Sequence, residues 1–327
     1  MVAGNREIKA IGGYFELADY EGVHAIPVSG VLLNTGRNAL EYILRSLPNI
    51  KEIWIPYYTC EVVLEPIQKL QISYQFYHIN ESLELKEKPK LGEGAYLIVN
   101  NYFGLQDAYI KKLASIYKDK LIVDNAQALF SPAMVGIKAL YSCRKFVGVC
   151  DGGIAIGVPE CSALTLDFED SASHNEHLLI RKAQGAEAGF ATYQENEIKL
   201  DNQPIRRMSA YTQDILTHID YEKIKHRRKQ NFAFLHQALG SSNKCNIPSD
   251  SSYACPMVYP YMYDNVPALR QKLIANKVFV AKYWPNVAAW SKPDSLETWL
   301  ANHILPLPID QRYDEKDMER IIQLILS

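Results

Sequence analysis

Apolar positions along this chain follow two alternating rhythms. Leu40, Ile43, Leu44 and Leu47 stand at helical spacing and predict a helix over 36–47. The run 52–56, Glu-Ile-Trp-Ile-Pro, is short, apolar and closed by proline, which reads as a buried strand. Helix is then predicted over 60–70, strand over 72–77, strand over 95–99, helix over 106–117 and strand over 120–124. Further strands are predicted near 138–142 and 153–157, and residues 10–33 form a lead-in with some strand character. This succession of strand and helix predicts a largely parallel α/β sheet. Ligands of such sheets bind beyond the carboxyl ends of the strands. Tyr58, Tyr102, Asp124 and Ser142 all fall just past such ends.

The second half changes character. Residues 173–187 and 208–240 read as helical, the latter with a break and a basic run over 223–229 taken as surface charge. After 250 the pattern predicts strand (254–262), helix (266–276), strand (278–283), helix (294–302), a short strand (304–307) and helix (314–326). That is a compact α+β module. The division expected is a large domain over 1–225 and a small C-terminal domain over 226–327.

Composition narrows the function classes. A formal net charge of -2 gives no electrostatic reason to expect nucleic acid or an anionic membrane as partner. No apolar run approaches the ~20 residues of a membrane span, and residues 1–7 lack the layout of a signal peptide. The cysteines at 60, 143, 150, 161, 245 and 255 contain no Cys-x-x-Cys pair. Neither a zinc site nor a disulfide framework is therefore expected, and reduced thiols in a cytoplasmic enzyme are.

The chemistry resides in a few strand ends. The apolar run Leu121-Ile122-Val123 stops at Asp124, and Lys145 follows Tyr141-Ser142-Cys143-Arg144. A lysine and an aspartate at the ends of buried strands are the groups a pyridoxal 5'-phosphate (PLP) enzyme needs most. The lysine forms a Schiff base and the aspartate holds the pyridine nitrogen protonated. Gln127 would bond the ring's phenolic oxygen or pack beside the ring, and Arg144 would help hold Lys145 as a neutral amine. Thr35-Gly36-Arg37 opens the first helix, where free N–H groups and the helix dipole suit a phosphate. Each residue taken alone has a plainer reading: Thr35 as a helix cap, Asp124 as a loop residue, Lys145 as a solvated lysine and Cys143 and Cys150 as inert buried thiols.

Taken together, these segments resemble the DegT/DnrJ/EryC1/StrS sugar aminotransferases, a group of fold-type-I PLP enzymes, from about residue 30 to the C-terminus. Thr35-Gly36-Arg37-Asn38-Ala39-Leu40 resembles the family's phosphate turn and Pro56-Tyr57-Tyr58-Thr59-Cys60 its Pro-x-x-Thr-aromatic segment. Asn101-Tyr102-Phe103-Gly104 is similar to a turn before the next helix. Asp124-Asn125-Ala126-Gln127, with Lys145 and Gly152-Gly153 at the family's distance, matches the Asp-x-Ala-Gln signature and the Schiff-base lysine. Arg207-Met208-Ser209, Arg227-Arg228 and Leu305-Pro306-Leu307-Pro308 resemble weaker landmarks.

The resemblance implies a homodimer with active sites at the subunit interface. It also implies transfer of an amino group, typically from glutamate, to a keto-sugar on a nucleotide, in polysaccharide or natural-product biosynthesis. Thr35, Gly36, Arg37, Cys60, Asp124, Gln127 and Ser142 would contact the cofactor, and Tyr58, Tyr102 and Arg206 are the substrate-side candidates. Cys60 stands where the family stacks an aromatic ring. Ser142 lies closer to the lysine than the family's phosphate-binding serine. Ile205 replaces an asparagine that reaches the partner's phosphate, a loss Arg206 would compensate. The competing readings are another PLP reaction on the same scaffold, which the retained lysine disfavours, and a degenerate non-catalytic PLP- or sugar-binding regulator.

Overall fold

The computed structural model describes residues 8–170, 174–248 and 253–327, with the side chains of 161 and 162 left aside. The strands are β1 (Ile11–Gly12), β2 (Val31–Leu33), β3 (Glu52–Pro56), β4 (Ser73–Tyr77), β5 (Ala95–Asn100), β6 (Leu121–Asn125), β7 (Lys138–Ser142), β8 (Gly153–Ile156), β9 (Val258–Met262), β10 (Val278–Phe279) and β11 (Ile304–Pro308). Seven of them form one sheet in the order β2-β8-β7-β6-β5-β3-β4. β7, β6, β5, β3 and β4 pair in parallel, while β8 runs antiparallel to both β7 and β2.

Helices cover the sheet, so its central strands are apolar on both faces rather than alternating. Ile53, Ile55, Leu97, Ile98, Ile122 and Val123 have no exposed surface. The helix Gly36–Arg45 lays Leu40, Ile43 and Leu44 on this sheet beside Ile53 and Ile122. Burying each such side chain is worth about 1.5–3 kcal/mol. The predicted helix over 60–70 opens with a 3₁₀ turn, Glu61–Val63, before Leu64–Lys69.

The long helical stretch predicted over 208–240 divides into Ala210–Leu216 and Tyr221–Leu239. Ser209 caps the first by accepting from the Thr212 N–H at 3.1 Å, and Asp220 caps the second by accepting from the Lys223 N–H at 2.9 Å. The expected domain boundary at 225/226 falls inside the second helix. The predicted helix over 173–187 appears as Glu176–Gln184, and residue 173 lies outside the described residues, as do 1–7. A helix over Phe190–Lys199 was not foreseen: Asn196 is its one fully buried residue, so it carries no apolar stripe to read.

In the C-terminal module β9 and β11 pair antiparallel, and the strand predicted over 278–283 shortens to β10. β10 pairs in parallel with β1, which fastens the N-terminal lead-in to this module. Among the described residues no helix is long and apolar enough to cross a membrane.

Candidate active site

The carboxyl ends of β2, β3, β5, β6 and β7 gather the predicted residues on one edge of the sheet. Asp124, the penultimate residue of β6, registers with Asn100 on β5 and Leu140 on β7, which places it mid-sheet. One carboxylate oxygen, Oδ1, accepts the Ala126 N–H at 2.8 Å. The other has no protein partner among the described residues. Burial raises the Asp124 carboxyl to about 6, against the opposing pull of the Ala126 N–H and the nearby Lys145 charge.

Lys145 ends a 3₁₀ turn, Cys143–Lys145, directly after β7. The residue is exposed and lines the cavity there, and among the described residues its ammonium group makes no hydrogen bond or ion pair. Arg144 beside it is ion-paired with Glu197. Cys60 lies within the fields of Lys145, Arg37 and Asp124, and burial pushes its thiol up. Cys143 and Cys150 are each pushed to about 12 by burial, as expected of inert thiols.

The turn before the first helix lies alongside. Thr35 is the helix N-cap, its Oγ1 accepting the Asn38 N–H at 3.0 Å. Capping and ligand binding are compatible here, because the Gly36 and Arg37 N–H groups precede the first intrahelical bond and remain available. Ser142 faces this turn: a side chain added at Gly36 would place its Cβ 3.6 Å from the Ser142 Cβ and 4.0 Å from its Oγ. The Ser142 hydroxyl has no hydrogen-bond partner among the described residues.

Beneath the turn the two glycines are explained by proximity. Gly152, at φ +128, donates to the Asn34 carbonyl at 2.7 Å and accepts from the Cys143 N–H at 2.9 Å. A Cβ on Gly153 would stand 2.1 Å from the Thr35 carbonyl oxygen. The Gly-Gly pair thus lets β8 pass directly under the turn.

Sequence reading missed the polar network that holds this turn. Asn34, fully buried, donates to Glu169 Oε2 at 2.8 Å and to the Pro204 carbonyl at 3.1 Å, and accepts from Asn38 at 2.8 Å. Arg206 donates to Glu169 at 3.0 Å. Burial pushes the Glu169 carboxyl up, but bonds from His174, Asn34 and the Asp170 N–H together with the Arg206 charge hold it at about 2. Two asparagines flanking Thr35-Gly36 at helical spacing were the signal available.

Not every candidate reaches the cleft. Tyr58 is fully buried, stacked edge-on to Trp284, and its carbonyl accepts the Tyr102 hydroxyl at 2.7 Å. Tyr102 is 2% exposed. Both are interior residues, and neither lines the cavity beside Lys145. The Arg37 guanidinium is ion-paired with Glu65 and Asp201, so what it offers a ligand is its N–H. Gln127 accepts the Phe103 N–H at 2.9 Å, which fixes the side chain while its amide NH₂ stays free of protein partners.

No family model matches the sequence, and no curated protein matches it. Solved structures do. The chain superposes on DesV of S. venezuelae, crystallised with a ketimine intermediate, with TM-score 0.64 and 17% identity over 90% of this chain and 83% of that one. It matches the aminotransferase TlmJ of Streptoalloteichus hindustanus with TM-score 0.66 and 16% identity over 97% and 98%. A third match is a DegT DnrJ EryC1 StrS aminotransferase from Brucella abortus, with TM-score 0.60 and 16% identity over 91% and 85%. The chain has their fold. The fold-type-I architecture that the motifs implied is thus borne out across nearly the whole length. Within it, Asp124, Lys145, Ser142 and the Thr35-Gly36 turn share one edge of the central sheet.

Proposed function

We propose that this chain is a PLP-dependent aminotransferase of the DegT/DnrJ/EryC1/StrS family, moving an amino group from glutamate to a nucleotide-linked keto-sugar. The observation that carries the reading is the convergence of an unpaired lysine, a half-buried carboxylate with one free oxygen, and an open helix N-terminus backed by Ser142. These donors and acceptors fit PLP: a cationic ring nitrogen, a phosphate and an aldehyde each have a matching group. Bound there, PLP supplies an electron sink for charge that develops on the substrate carbon.

The chain's own residues do the rest. The free oxygen of Asp124 would accept the ring N–H, a charge-assisted bond that would keep the Asp124 carboxyl ionised despite burial. The N–H groups of Gly36 and Arg37 and the Ser142 hydroxyl take the phosphate. Gln127, fixed by Phe103, presents its amide to the ring oxygen. Lys145 is the residue that would hold the cofactor, and its Nζ, when free, would be the base placed to take a proton from the amine-bearing carbon of the donor. Arg206 and Glu169 act through Asn34, keeping the turn in place. A homodimer in the cytoplasm, with shared sites, completes the proposal. The Arg206→Ala variant is expected to bind PLP more weakly, and an unchanged affinity would remove Arg206 from the cofactor site.

The test is to incubate the PLP-loaded protein with ¹⁵N-labelled L-glutamate and a panel of nucleotide-linked keto-sugars. Equal amounts of 2-oxoglutarate and ¹⁵N-amino sugar are expected. 2-Oxoglutarate with no aminated sugar from any member would refute the acceptor class, and no 2-oxoglutarate would refute glutamate as donor.

A further inference from the structure

The helix Phe190–Lys199, which carries no apolar stripe, turns one face to a cavity of about 690 Å³ beside Lys145. Phe190, Tyr193 and Glu197, three and four residues apart, all line that cavity. Two contacts fasten the face there. Glu197 is ion-paired with Arg144, the neighbour of Lys145. The Tyr193 ring stacks on Tyr14 of the lead-in, with centroids 4.7 Å apart and planes 12° apart. Tyr14 is itself fixed: its hydroxyl donates to the Ala186 carbonyl at 2.8 Å, and the Arg181 guanidinium lies 4.7 Å from its ring centre. The C-terminal module contributes Tyr283 to the same cavity. Its ring lies 6.3 Å from that of Phe103 and 5.5 Å from that of Trp284. Trp284 packs edge-on against Tyr58 at 4.9 Å, and Asn286 donates to the Thr59 carbonyl at 2.9 Å, which docks this segment on the loop after β3.

Both rings are thus held by neighbours, while both hydroxyls are idle. Among the described residues neither the Tyr193 nor the Tyr283 hydroxyl has a hydrogen-bond partner. The Tyr58 hydroxyl shares that condition but is sealed in the interior; those of Tyr193 and Tyr283 are not sealed, and both residues line the cavity. Burial pushes the Tyr193 phenol up to about 12 and raises that of Tyr283, which also lies within the field of Tyr193. Both are therefore neutral at ordinary pH, and each can donate and accept. The charged side chains around them are already matched: Arg144 by Glu197, Arg181 by Glu16, Asp310 by Arg312 and Glu187 by Lys277. Arg228, 1% exposed, donates to Gln311 and to the Met257 carbonyl and is closed to a ligand. Much of the remaining wall is apolar, with Val147, Val149, Leu178 and Val280 among its residues. An apolar pocket orients its ligand through its few free polar groups. Two neutral hydroxyls on such a wall suit a neutral hydroxyl better than an anion, whose charge would be left unmatched.

We propose that Tyr193 and Tyr283 together hold one hydroxyl of the acceptor sugar, and so decide which sugar is admitted beside Lys145. The inference rests on the aminotransferase reading for the ligand being a sugar. A site built to bond a particular hydroxyl discriminates strongly against the analogue that lacks it, because its own polar groups are then left unpaired.

The experiment titrates TDP-glucose, UDP-glucose and GDP-glucose calorimetrically into the PLP-loaded protein, and then the 2-, 3-, 4- and 6-deoxy forms of the tightest binder. One deoxy form is expected to bind roughly 5- to 100-fold more weakly than its parent. Tyr193→Phe and Tyr283→Phe should each weaken the parent by a similar factor and leave that deoxy form bound as in wild type. Because the two hydroxyls bond no described residue, both variants should melt at or above the wild-type temperature. Three results would overturn the inference: no binding of any of the three sugar nucleotides, unchanged affinity for the parent in either variant, or a variant that weakens the deoxy form as much as the parent. The PLP absorption of the same samples separates the two claims. Sugar binding that depends on both phenols, without a PLP band, keeps the hydroxyl site and rejects the enzyme. A PLP band with sugar binding indifferent to the phenols rejects only the site.

Discussion

Asp124→Asn should make the cofactor-free protein more stable and the cofactor-loaded protein less so. The carboxyl's rise from 3.8 to about 6 means that folding disfavours its ionised form. A group raised in this way stabilises the folded state fully below the unfolded value of 3.8 and loses that contribution as pH climbs through about 6. At pH 8 the folded protein therefore carries an ionised carboxylate at a cost of roughly 3 kcal/mol, taking about 1.4 kcal/mol per tenfold change in proton affinity. Asparagine removes the charge and keeps the oxygen that accepts the Ala126 N–H at 2.8 Å. The assay is urea denaturation of cofactor-free wild type and Asp124→Asn at several pH values. The variant's advantage should be about 3 kcal/mol at pH 8 and shrink steadily below pH 6. Taking the difference between the two proteins cancels the other titrating groups. Saturating PLP should reverse the order, because the wild-type carboxylate then has its cation. A variant that is less stable without cofactor, or an advantage independent of pH, would refute the reasoning.

Other consequences follow from single contacts. Gly153→Ala forces a Cβ to 2.1 Å from the Thr35 carbonyl oxygen, so thermal denaturation should show a loss of about 1–3 kcal/mol with weaker PLP binding. Gly92→Ala, where a Cβ meets nothing within 4 Å, should stay within about 0.5 kcal/mol of wild type. Tyr102→Phe removes the bond to the Tyr58 carbonyl and should cost about 1 kcal/mol in denaturant unfolding while leaving kcat and KM unchanged. Glu169, held at about 2, stabilises the fold above its ordinary value of 4.5 and loses that contribution as pH falls toward 2. Glu169→Gln should therefore lower stability at pH 7 by about 2–3 kcal/mol, with the deficit narrowing below pH 4.

The large sheet was legible because its strands carry their own signal. Ile53, Ile98, Ile122 and their neighbours are buried on both faces and bounded by turn residues. Asp124 and Lys145 were legible for a related reason, as charges at the ends of apolar runs. Burial from tertiary packing was less so. Nothing local separates Tyr58 and Tyr102, which are interior, from tyrosines that line a cleft. Arg228 sits in a run of seven residues with five basic ones, and only the packing of helix Tyr221–Leu239 against Met257 and Phe146 turns it inward. The helix Phe190–Lys199 has a polar sequence because it packs little of its length, which is what hid it. The pairing of β1 with β10 joins segments more than 260 residues apart, beyond any local pattern.

The central claim is that Lys145 and Asp124 hold PLP in a working aminotransferase site. Its most direct test is the visible absorption of the purified protein with PLP, before and after L-glutamate, with Lys145→Ala alongside. A bound-cofactor band that requires Lys145 and bleaches with L-glutamate is the predicted result. A band identical in Lys145→Ala, or no band in the wild type, would contradict it.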